Sequence, residues 1–205
     1  FDDYELVFRE YNLTSQQELN YQEENAEIIS VFTGSFLNES ILNKFKNLKL
    51  ILTRSVGFSH IDIDYCNRKG IIVANTPHYG DYTVAEFSFG LLLNLVRRIC
   101  FGQNELRMGD LYPETLGMEL FDKTIGIIGT GSIGEKSIKI AKGFSMNIIC
   151  CDVFENVEIE KKYNVKYASL DTLCKLADII MLHAPLNSRS YHLIDREKIN
   201  LMKSN

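Results

Sequence analysis

Residues Thr124 to Gly134, reading T-I-G-I-I-G-T-G-S-I-G, constrain this chain more than any other stretch. Ile125, Ile127 and Ile128 supply the near-continuous, β-branched apolar run of a strand buried on both faces of a parallel sheet. Gly129, Gly131 and Gly134 follow at the spacing G-x-G-x-x-G. In such a turn the first glycine allows a sharp reversal and the second removes the side chain that would block a diphosphate. The third lets the next helix lie close to the sheet. That helix is expected from about Ser132 to Lys142. Its first backbone N–H groups and the positive end of its dipole form an anion site with no cationic side chain.

Glycines cluster in many turns, so the context has to carry the inference. The motif requires a strand before it, a helix after it, a second strand, and an acidic residue at that strand's end. Ser137, Ile138, Ile140 and Ala141 carry the helix, Asn147 to Cys151 (N-I-I-C-C) the second strand, and Asp152 the carboxylate. A carboxylate there accepts hydrogen bonds from the adenosine ribose hydroxyls and repels a 2′-phosphate. Val153 and Phe154, which follow, offer no Arg to receive one. The pattern therefore favours NAD over NADP.

At 205 residues the chain has room for one large domain or two small ones, with ordinary globular proportions of 45% hydrophobic and 24% charged residues. A net charge of −5 argues against nucleic acid or an anionic membrane as partner. Its apolar stretches are too short or too punctuated to span a bilayer, and the opening F-D-D-Y-E does not have a signal-peptide pattern. A cytoplasmic location is the expectation. The cysteines at 66, 100, 150, 151 and 174 form no C-x-x-C pair and no metal-ligand spacing with the histidines; they read as small hydrophobes, and no metal is expected.

Taken in order, the chain opens with a possible strand at Glu5 to Phe8 and a helix around Thr14 to Gln22. Strand, helix and strand are expected at Glu27–Phe32, Asn38–Phe45 and Leu48–Thr53. A helix after Ile61 that closes at Gly70, and a strand at Ile71–Ala74, complete a first parallel α/β lobe. Thr83 to Ile99 is apolar nearly all round, which predicts a helix covered on most sides, wedged between lobes or subunits. Phe101 to Glu119 reads as a polar connection, and the charged segment from Asp152 through Lys162 as another. Ser169 caps a helix reaching Leu176, Ala177 to Leu182 is a further strand, and Ile194 to Met202 begins a last helix. The strand at Ile125 to Gly129 is expected to form an unprotected edge of its sheet.

Four stretches together resemble the D-isomer-specific 2-hydroxyacid dehydrogenase family: R-S-V-G-F-S-H-I-D (54–62), N-T-P-H-Y-G-D-Y-T-V-A-E (75–86), G-I-I-G-T-G-S-I-G (126–134) with Asp152, and A-D-I-I-M-L-H-A-P-L (177–186). The resemblance implies an α/β fold of two parallel-sheet lobes with a cleft between them. A flavodoxin-like substrate lobe would take residues 1–98, including the interlobe helix 83–99. A Rossmann-type NAD-binding lobe, of which only the first half is expected here, would take 99–205. The turn at Val56 and Gly57 would offer amides to a substrate carboxylate, and Tyr79 matches a substrate-side position of lactate-type members. Thr83 would lie on the nicotinamide side, while Gly129, Gly131, Ser132, Ile133, Gly134 and Asp152 would hold the diphosphate and ribose. His183, Ala184, Pro185 and Ser190 match the loop along the dinucleotide.

The family's catalytic Arg, Glu and His match no position here and are expected after Asn205; His60, His78, His183 and His192 are not acid/base candidates. Ser145 replaces a glycine common between helix and strand, implying local backbone strain. The implied activity is NAD-dependent hydride transfer to or from a small D-2-hydroxy or 2-oxo acid of the lactate/pyruvate kind. A homodimer through the 83–99 region is expected. Two other readings stand beside it: a dinucleotide-binding sensor or corepressor-like scaffold without turnover, and a parallel α/β interaction domain without cofactor.

Overall fold

A computed structural model describes residues 5–14, 16, 18–112 and 116–204. The chain divides into two compact units, residues 1–79 and 80–205.

The first unit runs α1 (Tyr21–Glu24), β1 (Ile28–Val31), α2 (Glu39–Leu42), β2 (Leu50–Thr53), α3 (Ile63–Lys69) and β3 (Ile72–Ala74). Its strands pair in parallel in the order β1-β2-β3, Ile29 facing Ile51 and Ile51 facing Val73. The helices begin on side-chain caps: Asn38 Oδ1 accepts the N–H of Ile41, and Asp62 Oδ1 that of Tyr65. Gly70, at φ 70, ends α3 in the left-handed conformation expected of a glycine cap. Leu37, Ile41, Ile51 and Cys66 are fully buried at the centre of this unit's core.

The second unit runs α4 (Asp81–Val96), α5 (Ile99–Arg107), β4 (Thr124–Ile128), α6 (Ser132–Gly143), β5 (Asn147–Cys151), α7 (Val157–Tyr163), β6 (Lys166–Tyr167), α8 (Leu170–Leu176), β7 (Ile179–Leu182) and α9 (Arg196–Leu201). Its parallel sheet has the order β6-β5-β4-β7. From β4 the chain winds one way through β5 to β6, then crosses back to add β7 on the other side of β4. Parallel sheets bind ligands at the carboxyl ends of strands where the winding reverses, and here that point lies between β4 and β7. Ile125 and Ile127 are fully buried in the sheet's centre, where they join Ile138, Ala141 and Cys150 in one cluster.

Several expectations are corrected. β4 is an interior strand, paired with β5 from Ile125↔Ile148 and with β7 from Ile125↔Ile179, so the edges are β6 and β7. The helix expected at 83–99 ends at Val96, because Arg98 adopts φ 55 and breaks the repeat, its guanidinium lying 4.5 Å over the Phe101 ring. The chain re-enters a helix at Ile99, within the stretch expected as a connection. Within its own unit α4 is covered on one side: Ala85, Phe89 and Leu92 face the core and Phe89 stacks on Phe144 at 5.8 Å, while Phe87, Leu91 and Leu95 are left for whatever lobe or subunit lies against them. That packing places α4 in the second unit rather than with residues 1–79. The charged segment after Asp152 forms α7 and β6. No strand forms at 5–8, and of the early helix only Tyr21–Glu24 is helical among the described residues; Ser15 and Gln17 lie outside them.

Ser145 does sit at φ 56, in the turn that joins α6 to β5. A side chain costs about 1–2 kcal/mol in that conformation, and a glycine gives back about 0.4–1 kcal/mol through the looser unfolded chain. Ser145→Gly is therefore expected to stabilise the protein by roughly 0.5–1 kcal/mol in urea unfolding; a loss of stability would contradict the strain.

Candidate cofactor site

The turn after β4 is fixed from three sides. The N–H of Gly129 donates to Cys151 O at 2.8 Å, and the N–H of His183 donates to Ile128 O at 2.7 Å, so the ends of β5 and β7 bracket the turn. Gly129 lies at φ 89, and a Cβ there would come within 2.8 Å of Ala184 N. Gly134 meets the turn from the helix side, where an added Cβ would stand 2.0 Å from Gly129 O. Gly131 differs from both. Its φ of −64 and ψ of −166 suit any residue, and a Cβ there would meet nothing within 4 Å. That glycine keeps space open in front of the first turn of α6, where helical N–H groups have no intrahelical partner. A diphosphate fits these features: an open cradle, a helix N-terminus and a missing side chain.

Asp152 closes the site beside the turn. Its Oδ2 accepts the Thr130 N–H at 2.6 Å and the Thr130 hydroxyl at 3.0 Å, and its Oδ1 accepts the Phe154 N–H at 3.1 Å. Burial alone would push this carboxyl's pKa up; the donors from Thr130, Phe154 and Val153 outweigh it and hold the group below the usual carboxylate value. Asp152 is therefore ionised at neutral pH and able to accept from ribose hydroxyls. Phe154, Glu155, Asn156 and Glu158 line a hollow next to it, with no cation among them to receive a 2′-phosphate.

Gly129, Gly131, Ser132, Ile133, Gly134, Asp152, His183, Ala184 and Pro185 all fall at the carboxyl edge of the second sheet. The loop beyond is tied to itself, the Ser190 hydroxyl donating to Pro185 O and accepting the Asn187 N–H at 2.9 Å. His183 Nε2 lies 2.9 Å from Ser137 Oγ, which is fully buried, and burial lowers its pKa. Its side chain thus pins α6 to β7. Thr83 is exposed in the first turn of α4. Its neighbour Tyr82 has the ammonium groups of Lys136 and Lys139 over its ring at 5.5 and 5.8 Å, which sets this turn beside α6.

In the first unit, the 54–58 turn is held from behind. The Ser55 hydroxyl donates to Gly57 O at 2.7 Å, Asn75 Nδ2 donates to Val56 O at 2.8 Å, and buried Thr53 Oγ1 lies 2.6 Å from Ser55 Oγ and 3.2 Å from His60 Nε2. Burial lowers the His60 pKa, which suits a neutral structural imidazole. Tyr79 is 61% exposed, so its ring is accessible. His192 stacks on Tyr191 at 4.0 Å. Of the supporting residues, Ser55, Asn75 and Thr130 stand inside the motifs and could have been flagged by their place beside the turns, whereas Thr53 and Tyr167 lie outside every motif.

Burial pushes the Cys150 thiol up to about 12, and raises those of Cys66 and Cys174 as well, so these are packing groups and not thiolates. Among the described residues no three potential metal ligands come together, and no helix is long and apolar enough to cross a membrane.

Winding, glycine turn and a carboxylate at the end of the second strand together define a Rossmann-type dinucleotide-binding domain. Residues 89–205 match the model of the D-isomer specific 2-hydroxyacid dehydrogenase NAD binding domain, and the chain belongs to that family. It is 37% identical over 193 residues to a D-3-phosphoglycerate dehydrogenase of Methanocaldococcus jannaschii, a match covering 93% of this chain and 37% of that protein. It is 42% identical over 179 residues to an aromatic 2-oxoacid reductase of Clostridium sporogenes, covering 85% and 54%. Among solved structures, a D-lactate dehydrogenase from Aquifex aeolicus complexed with NAD and lactic acid superposes with a TM-score of 0.83 at 42% identity, covering 88% of this chain and 54% of that one. The chain thus spans roughly a third to half of these relatives' length. Family and geometry agree on NAD as the cofactor.

Proposed function

We propose that the protein is an NAD-dependent oxidoreductase acting on a small D-2-hydroxy or 2-oxo acid, with lactate and pyruvate as the favoured pair. The observation that carries this reading is the open cradle at Gly131 facing the first turn of α6, with ionised Asp152 beside it. In this reading the amides of Ser132, Ile133 and Gly134 hold the diphosphate, Asp152 accepts the adenosine ribose hydroxyls, and the His183–Pro185 segment with Ser190 runs along the dinucleotide. Thr83 serves the nicotinamide side. NAD, when bound, supplies the hydride-transferring ring.

The turn at Val56 and Gly57 holds the substrate carboxylate with backbone amides, which need no buried countercharge. Its carbonyls are already occupied from behind by Ser55 and Asn75, which leaves that turn rigid enough to orient an anion. Tyr79 and the likeness to a lactate-bound relative support the lactate preference. No side chain of residues 1–205 is assigned the proton transfer, and His183 is spoken for by Ser137. The exposed stripe of Phe87, Leu91 and Leu95 supports a homodimer through this helix, and a cytoplasmic location fits a soluble reductase of this kind.

Full-length protein mixed with NADH is expected to oxidise it with pyruvate, faster than with glyoxylate, hydroxypyruvate or an aromatic 2-oxo acid. Turnover of one of the others instead would correct the substrate. NADH binding without turnover of any 2-oxo acid would favour the sensor or scaffold reading.

A further inference from the structure

The excursion from Asp152 through α7 returns to the sheet at β6, and that short edge strand brings one side chain back to the glycine turn. Tyr167 pairs opposite Cys150, and its ring packs against the core cluster of Ile127 and Ile138. Its phenol oxygen lies 2.8 Å from Thr130 Oγ1. Thr130 stands between the first two glycines, is 5% exposed, and reaches Asp152 Oδ2 with both its N–H and its hydroxyl. A threonine hydroxyl has one proton to give, and an ionised carboxylate only accepts. The Thr130 proton therefore points to Asp152, and the contact with Tyr167 uses the tyrosine's own proton. The result is a directed chain from Tyr167 through Thr130 to the carboxylate, in which each bond polarises the next.

We propose that Tyr167 is a positioning residue for the ribose-binding carboxylate: through Thr130 it fixes the rotation of Asp152 before the cofactor arrives. The proposal rests on the reading of Asp152 as the ribose acceptor. With Oδ2 held by two bonds from one residue, the carboxylate cannot turn about its last torsion without breaking both. A ligand then has less ordering to impose on the site when it binds. Removing the phenol hydroxyl leaves the Thr130 hydroxyl less polarised and its hold on Asp152 weaker. The ring itself, which packs in the core, is left in place by Tyr167→Phe.

The test is a fluorescence titration of the whole protein with NADH and with an NADH analogue whose adenosine ribose lacks both hydroxyls. Tyr167→Phe is expected to weaken NADH binding roughly five- to tenfold, the scale of one polarised hydrogen bond, and to leave the analogue's affinity unchanged. Its Tm should stay within about 2 °C of the parent. Thr130→Ser, which keeps the hydroxyl, should bind NADH like the parent, and Thr130→Val at least as weakly as Tyr167→Phe. The proposal is overturned if Tyr167→Phe binds NADH as the parent does, or if it loses NADH and the analogue equally. Should that variant fail to fold, equal NADH affinity of Thr130→Ser and Thr130→Val overturns it instead. A parent protein that binds no NADH at all would sink the cofactor reading, a result distinct from any of these.

Discussion

Gly131→Val should leave the protein folded and weaken NADH binding by at least about a hundredfold, a loss on the order of 3 kcal/mol. The backbone at this position is open to any residue and a Cβ would touch nothing, so the folded chain gives no reason for glycine there. The reason lies in the occupant. A valine side chain would stand in the space in front of α6, separating a diphosphate from the N–H groups that receive it. Isothermal titration with NADH reads the loss, and a thermal melt reads the intact fold. A variant that binds like the parent would show that the diphosphate lies elsewhere.

Gly134→Ala should do the reverse, with a large loss of stability as its primary effect. Its added methyl would stand 2.0 Å from Gly129 O and 3.0 Å from Gly129 C, both backbone atoms of a turn already tied to β5 and β7. Neither side can yield cheaply, so α6 must lift from β4 and strip contacts from Ile138 and Ala141, which are fully buried. Overpacking against fixed backbone costs about 3 kcal/mol, at the upper end for single substitutions. At about 2–4 °C per kcal/mol, Tm should fall by on the order of 10 °C. An unchanged melt would mean that helix and turn are not in this close contact. The two glycines lie three positions apart in one motif, yet only Gly134 is required by the packing, and on the proposed reading Gly131 answers to the ligand.

Much of the cofactor half was legible because its signals are local. β-branched runs gave β4 and β5, glycine spacing gave the turn, and the acidic residue at the end of β5 is the one whose carboxylate faces Thr130. Caps at Gly70 and Ser169 were readable for the same reason: each depends on one residue's backbone or side-chain chemistry. What could not be read depends on partners distant in sequence. The interior place of β4 follows from β7 pairing with it, Ile125 against Ile179 and Ile128 against Leu182; the apolar run announces that β4 is buried, but not which distant strand covers that side. β6 is two residues long, too short for any periodicity, and α7 makes barely two turns among charged residues. The break at Arg98 is a left-handed residue with no glycine to mark it. Tyr167 stands 37 positions from the hydroxyl it meets, and nothing in its neighbours points there.

The most direct measurement is a crystal structure of the protein grown with NAD. The diphosphate oxygens should sit within hydrogen-bonding distance of the amides of Ser132, Ile133 and Gly134, with an adenosine ribose hydroxyl on Asp152. A dinucleotide bound with its diphosphate away from the Gly131 cradle, or with Asp152 touching no ribose oxygen, would contradict the account.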